Sequence, residues 1–133
     1  MLRNRRAPES DESTLNVAPP GWHTVTPRIV VRDARGLVDF LVEVFGATAK
    51  FDSASPTVVE IGDSKVMISE AGARPPQPAF LYVYVADVDS AFQRAVDRGA
   101  ISLEKPWNTP YGDRRCMVED RWRNAWQIAM PSE

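Results

Sequence analysis

The side chains that could do chemistry are few and scattered. The chain has one histidine, His23, and one cysteine, Cys116. No Ser-His-Asp arrangement, Gly-rich phosphate loop or Cys/His zinc spacing occurs. Triad hydrolysis, nucleotide hydrolysis and structural zinc are therefore unsupported. Asp87 and Asp89 form a carboxylate pair, but they stand where a helix should begin, so capping and the helix dipole account for them. Arg114, Arg115, Arg121 and Arg123 cluster, yet Asp113, Glu119 and Asp120 interleave with them, which predicts a solvated ion-pair surface rather than a nucleic-acid stripe. The most suggestive spacing is aromatic. Phe80, Tyr82 and Tyr84 alternate, and residues two apart on a strand share a face.

The totals narrow the classes. A chain of 133 residues with 44% hydrophobic and 26% charged residues predicts one globular core. A net charge of -2 offers no general attraction to nucleic acid or an anionic membrane. No apolar run approaches the ~20 residues of a membrane helix, and no signal-type segment follows Arg3, Arg5 and Arg6. The lone Cys116 excludes an intrachain disulfide and suits a reducing, cytoplasmic setting, where it reads as a small buried hydrophobe.

The elements that would position these residues repeat. Residues 1–21 are polar and end in Pro19-Pro20-Gly21, predicting a flexible tail. A strand around Ile29 to Val31 leads to Asp33, then a helix with Leu37, Phe40, Leu41, Val44 and Phe45 on one face, closed by Gly46. Strands follow at Thr48 to Phe51, Thr57 to Ile61 and Lys65 to Ser69. Pro75, Pro76 and Pro78 mark residues 71–78 as a linker. The order then recurs: a strand from Phe80 to Val85, an Asp87 cap, a helix with Val88, Ala91, Phe92, Ala95 and Val96, and Gly99-Ala100, 53 residues after Gly46-Ala47. Strands at Ile101 to Lys105, Arg114 to Glu119 and Ala125 to Met130 complete it, with Pro106 to Gly112 and Asp120 to Asn124 as loops. The fold class expected is α+β: two tandem βαβββ modules, about 25–70 and 79–131, forming a curved mixed sheet around a cavity, within a domain of residues 22–133.

Ile29-Val-Val-Arg-Asp, Val44-Phe-Gly-Ala, Ile61-Gly-Asp-Ser, Val83-Tyr-Val-Ala-Asp-Val-Asp, Arg98-Gly-Ala, Tyr111-Gly-Asp-Arg and Trp126, in that order, resemble the vicinal oxygen chelate superfamily of glyoxalases, bleomycin-resistance proteins and extradiol dioxygenases, especially its PhnB-like glyoxalase branch. The resemblance implies four metal-ligand positions, at Thr26, Met67, Phe80 and Gln127. Phe80 offers no donor and a Met thioether suits soft metals, so no divalent ion is expected there. Asn124 stands where the PhnB-like branch tends to place a histidine, and His23 reads as an exposed residue before the first strand.

With those positions as reference, alternation predicts a cavity face carrying Thr26, Arg28, Val30, Lys65, Met67, Ser69, Phe80, Tyr82, Tyr84, Ala125, Gln127 and Ala129. The other face, with Ile29, Val31, Leu81, Val83, Val85, Trp126 and Ile128, is apolar and meets the helices. Arg28 and Lys65 beside the aromatics suit a planar ligand with a polar or anionic group. Trp107, Tyr111 and Trp122, read as loop residues, would form a rim. The expectation is a metal-independent binder that sequesters or senses an aromatic compound, without cofactor and as a homodimer, the dimer being implied by the resemblance. The alternative is a divalent-metal lyase, isomerase or dioxygenase recruiting His23, Glu60 or Glu70; a structural module with a self-filled cavity is a third reading.

Overall fold

The computed structural model describes residues 17–132; most of the expected tail, residues 1–16, lies outside them. Strand β1 (Arg28–Val31) leads through Asp33 into helix α1 (Ala34–Phe45), followed by β2 (Thr48–Ala49), β3 (Thr57–Ile61) and β4 (Ser64–Glu70). The second module repeats the order with β5 (Phe80–Tyr84), α2 (Val88–Asp97), β6 (Ile101–Asn108), β7 (Asp113–Glu119) and β8 (Ala125–Pro131). The sheets run β1-β4-β3-β2 and β5-β8-β7-β6. The first two strands of each sheet are parallel and the other pairs antiparallel. This is the expected pair of βαβββ modules.

The helix boundaries follow from local chemistry. The Asp33 carboxylate accepts from the Gly36 amide, and the Asp33 and Ala34 amides donate to the Glu70 carboxylate at 2.9 and 2.8 Å. Glu70 thereby satisfies amides that a helix start leaves without partners. Gly46 closes α1 at φ 66°, a left-handed conformation that suits a residue without Cβ. Asp87 caps α2 through the Ser90 amide.

Both helices bury their apolar stripes on one shared core. Leu37, Phe40, Leu41 and Val44 from α1 meet Ile29, Val59 and Ile68; Ala91 and Ala95 from α2 meet Cys116, Val118, Trp126 and Ile128. The modules join through this layer, with Phe45 against Trp126 at 5.3 Å and Arg94 donating to the Val44 carbonyl at 2.9 Å. Trp126 is completely buried, as the strand pattern predicts.

Two strand ends differ from expectation by more than one residue, and one linker does more than connect. Strand β2 stops at Ala49, because the chain leaves the sheet for a turn in which the Asp52 carboxylate accepts from Ala54 and Ser55. Strand β6 continues through Pro106 to Asn108, so Trp107 is a strand residue, not a loop residue. Pro106 is tolerated because β6 is the sheet edge and its register slips between Glu104 and Trp107. The proline-rich segment 71–78 is more than a tether: the Gln77 amide donates to Val30 at 2.8 Å, and Val30, expected toward a cavity, is buried.

Candidate functional site

The sheet register arranges one face of module 2 into rows. Tyr82 lies beside Gln127, then Met117, then Glu104; Tyr84 lies beside Ala129, then Arg115, then Trp107. The opposite face of β5 sends Leu81 and Val83 against the core. Phe80, Tyr82 and Tyr84 are consequently turned outward, at 65%, 42% and 61% exposure. Three aromatics on adjacent same-face positions of one strand form an unusual apolar surface for a chain considered alone.

The phenols are positioned rather than loose. Their ring centroids are 5.4 Å apart, and both hydroxyls span β8 to donate to Asp113 Oδ2 on β7, at 2.7 Å from Tyr82 and 3.0 Å from Tyr84. Partial burial raises the Tyr82 phenol above its ordinary range, and the Asp113 carboxylate adds to that; for Tyr84 the bond to Asp113 is the larger cause. A protonated phenol can donate to a carboxylate, so Asp113 opposes ionisation.

Arg115 is the second fixed group. Its guanidinium engages Glu104 through Nε and Nη2 at 3.0 and 3.3 Å and lies 6.0 Å from the Trp107 ring centre. The Arg115 side chain is only 16% exposed, so within the expected ion-pair surface this pair is mostly buried. The bond and charge of Arg115 hold the Glu104 carboxyl below its usual range. Arg114, pointing to the other face, reaches Asp89 on α2 with two bonds of 2.9 Å. Asp89 therefore does more than favour the helix dipole.

The positions expected to line one cavity divide among several places. A cleft of about 320 Å³ between the modules is bordered by His23, Thr26, Lys65, Tyr82 and Tyr84 among others. Thr26 precedes β1 instead of lying on it. Arg28 and Met67 are register partners on sheet 1, while Phe80, Gln127 and Trp107 lie on sheet 2. Tyr111 is at the tip between β6 and β7, 79% exposed. Trp122 packs edge-on against Phe40 of α1, 6.1 Å away, so it is tied to the helix layer rather than the aromatic face.

The cations of module 1 are engaged. Lys65 pairs with Glu60, donates to the Gly21 carbonyl at 2.9 Å and lies over the Trp22 ring. Arg28 Nε donates to Ser69 at 2.9 Å. Sequence reasoning missed Trp22, Glu104, Arg115 and Asp113 as neighbours. For the last two a signal existed: on β7 they share the alternation parity of Met117, the partner of Gln127.

The ligand positions drawn from the resemblance do not suit a divalent metal. Phe80 has no donor, Met67 presents a thioether, and Thr26 and Gln127 contribute neutral oxygens. Among the described residues, no three His, Cys, Asp or Glu side chains converge as a metal would require. Glu70 serves the α1 start and Glu60 serves Lys65. Asn124 is structural: buried, its side chain accepts from the Ala79 amide and donates to the buried Asp120, which also accepts from Trp126 Nε1 at 2.8 Å.

Comparison with known proteins finds the same architecture elsewhere. The profile of the Glyoxalase/Bleomycin resistance protein/Dioxygenase superfamily matches residues 22–128. An uncharacterized protein of Mycobacterium tuberculosis is 27% identical over 141 residues, covering 92% of this chain and 81% of the relative. Among solved structures, TioX from Micromonospora sp. superposes with a TM-score of 0.68 at 23% identity, over 80% of this chain and 97% of that one. A glyoxalase/bleomycin resistance protein/dioxygenase family enzyme from Burkholderia phytofirmans also gives 0.68, at 21% identity, over 78% and 94%.

Proposed function

Since the chain belongs to the glyoxalase/bleomycin resistance protein/dioxygenase superfamily, we propose that it is a metal-independent small-molecule binder that sequesters or senses an aromatic compound. The observation that carries this reading is the outward face of β5, where Phe80, Tyr82 and Tyr84 stand 42% to 65% exposed on a rigid strand. Aromatic rings on a strand offer stacking area at little cost in ordering.

Two finer statements belong to the same reading. The chain acts as a homodimer, a second copy covering part of the apolar face, and it falls in the PhnB-like branch, supported by the fragments from Ile61-Gly-Asp-Ser to Tyr111-Gly-Asp-Arg. A reducing cytoplasmic setting is supported by the single, buried thiol of Cys116. Among the described residues no helix is long and apolar enough to cross a membrane.

Titrating planar aromatic compounds while following tryptophan fluorescence tests the proposal. Saturable binding that Tyr82→Ala and Tyr84→Ala weaken is expected, since Tyr82 and Tyr84 supply the surface. Metal analysis of the purified chain guards the other side. Stoichiometric divalent metal, with a chelator-sensitive activity restored on readdition, would replace the binder by a lyase, isomerase or dioxygenase.

A further inference from the structure

The sign of the charge at the aromatic face is opposite to what the sequence order suggests. Asp113 is followed directly by Arg114 and Arg115, an order that predicts local neutralisation. Alternation instead carries Arg114 to the far face, where it engages Asp89, and Arg115 is drawn across the sheet to Glu104. Asp113 keeps only hydroxyl partners, the two phenols on Oδ2, and among the described residues it has no ion pair.

The balance of the surroundings points the same way. Glu104 and Arg115 cancel, and Glu119 is accompanied by Arg123 at 3.6 Å. Arg115 also borders the Tyr82 hydroxyl, but Glu104 already balances it, so among the described residues Asp113, Glu104 and Arg115 together leave one net negative charge beside Tyr82 and Tyr84. Of the cations expected to attract an anionic ligand, Lys65 is neutralised by Glu60, and Arg28, bonded to the neutral Ser69, lies on β1 of the other sheet. Ring faces of Phe80, Tyr82 and Tyr84 add their own negative poles, which attract cations.

We propose that the molecule bound at the β5 face is a cation, a planar or apolar body bearing a protonated amine, with Asp113 as its counter-ion. This rests on the small-molecule binding reading and adds the ligand's charge class. The amine meets the Asp113 carboxylate while the ring system lies against Phe80, Tyr82 and Tyr84. A ligand carboxylate at the same place would face Asp113 directly, and like charges at close range oppose binding.

The test uses three probes of one shape on the full chain at neutral pH: an aminoacridine, protonated under these conditions; the neutral acridone; and an acridine carboxylate. Calorimetry should rank the cation tightest and the carboxylate weakest. Asp113→Asn, near in shape and still able to accept the phenol hydroxyls, should weaken the aminoacridine about tenfold, as loss of a charge-assisted bond predicts, and leave acridone unchanged. Tyr82→Phe with Tyr84→Phe keeps the rings, frees Asp113 from competing donors, and should retain the preference for the cation. Circular dichroism melting of each variant verifies folding. Equal affinity for all three probes, or preference for the carboxylate, overturns the charge assignment and leaves the aromatic binder standing. Absence of binding by all three up to millimolar concentration overturns both.

Discussion

The two modules share strand order, helix placement and Asp caps, yet their outer sheet faces have different characters. In module 1 the face is small and self-satisfied: Val30 is buried beside the linker, Arg28 bonds Ser69, and Lys65 is held by Glu60 and Trp22. In module 2 the equivalent strand shows Phe80, Tyr82 and Tyr84 to solvent, and among the described residues the Asp113 carboxylate is bonded to the two phenols. One topology thus carries a closed face and an open one, and recognition chemistry resides in side chains rather than in the fold.

The modules also differ in how their last hairpin is held, and this predicts the largest effects. The Asp120 carboxylate in the β7–β8 turn accepts from the Trp122 and Asn124 amides, from Asn124 Nδ2 and from Trp126 Nε1, all at 2.8 to 2.9 Å and in a buried setting. Asp120→Ala should cost about 3 kcal/mol or more in urea unfolding, because several buried donors lose their acceptor. Asp63, in the exposed β3–β4 turn of module 1, should tolerate alanine within about 0.5 kcal/mol. Equal effects at the two turns would abolish the contrast.

A smaller loss is expected at Gly36. A Cβ there would stand 2.8 Å from Trp122 Cζ2 and closer still to the Asp33 carboxylate. Gly36→Ala should destabilise by about 1 to 3 kcal/mol through overpacking, despite alanine's better helix propensity. An unchanged denaturation midpoint would show that the Trp122 ring yields.

The titrating groups sharpen the comparison at both ends of the pH scale. Burial pushes the Cys116 thiol in module 2 up from 9.0 to about 11. A pKa raised by folding means that the folded chain retains a proton the unfolded chain releases, so stability should fall between about pH 9 and 11. Cys116→Ala should flatten the urea midpoint across that window, and Ellman's reagent should modify the native thiol only as the chain unfolds. Raised Tyr82 and Tyr84 phenols extend the loss upward from about pH 10.

On the acid side, Glu70 is lowered first by the Ala34 amide and Glu104 first by Arg115. A depressed carboxylate contributes stability above its unfolded value, and that contribution disappears as pH falls below about 4 toward the lower folded value. Glu104→Gln should therefore give a slightly shallower acid decline. This is the smallest effect, since the glutamine keeps an acceptor for the Arg115 guanidinium.

Much of this architecture is written in local pattern. The repeat of strand, capped helix and Gly-Ala, the facing of Leu81, Val83, Trp126 and Ile128 toward the helices, and the placing of Phe80, Tyr82 and Tyr84 together on the opposite face all follow from periodicities of a few residues. So do Asp33 and Asp87 as caps, because a cap bonds an amide three residues away. What tertiary structure decided is which distant groups meet. Asp113 lies 31 residues from Tyr82, Arg114 lies 25 from Asp89, and Arg28 lies 41 from Ser69. Adjacent charges in the chain do not pair when alternation turns them to opposite faces and other carboxylates stand nearer the guanidinium. For that reason the aromatic face was legible in residue order, whereas its charge emerged only once the sheet had set Asp113 against two phenols and committed Arg114 to Asp89 and Arg115 to Glu104.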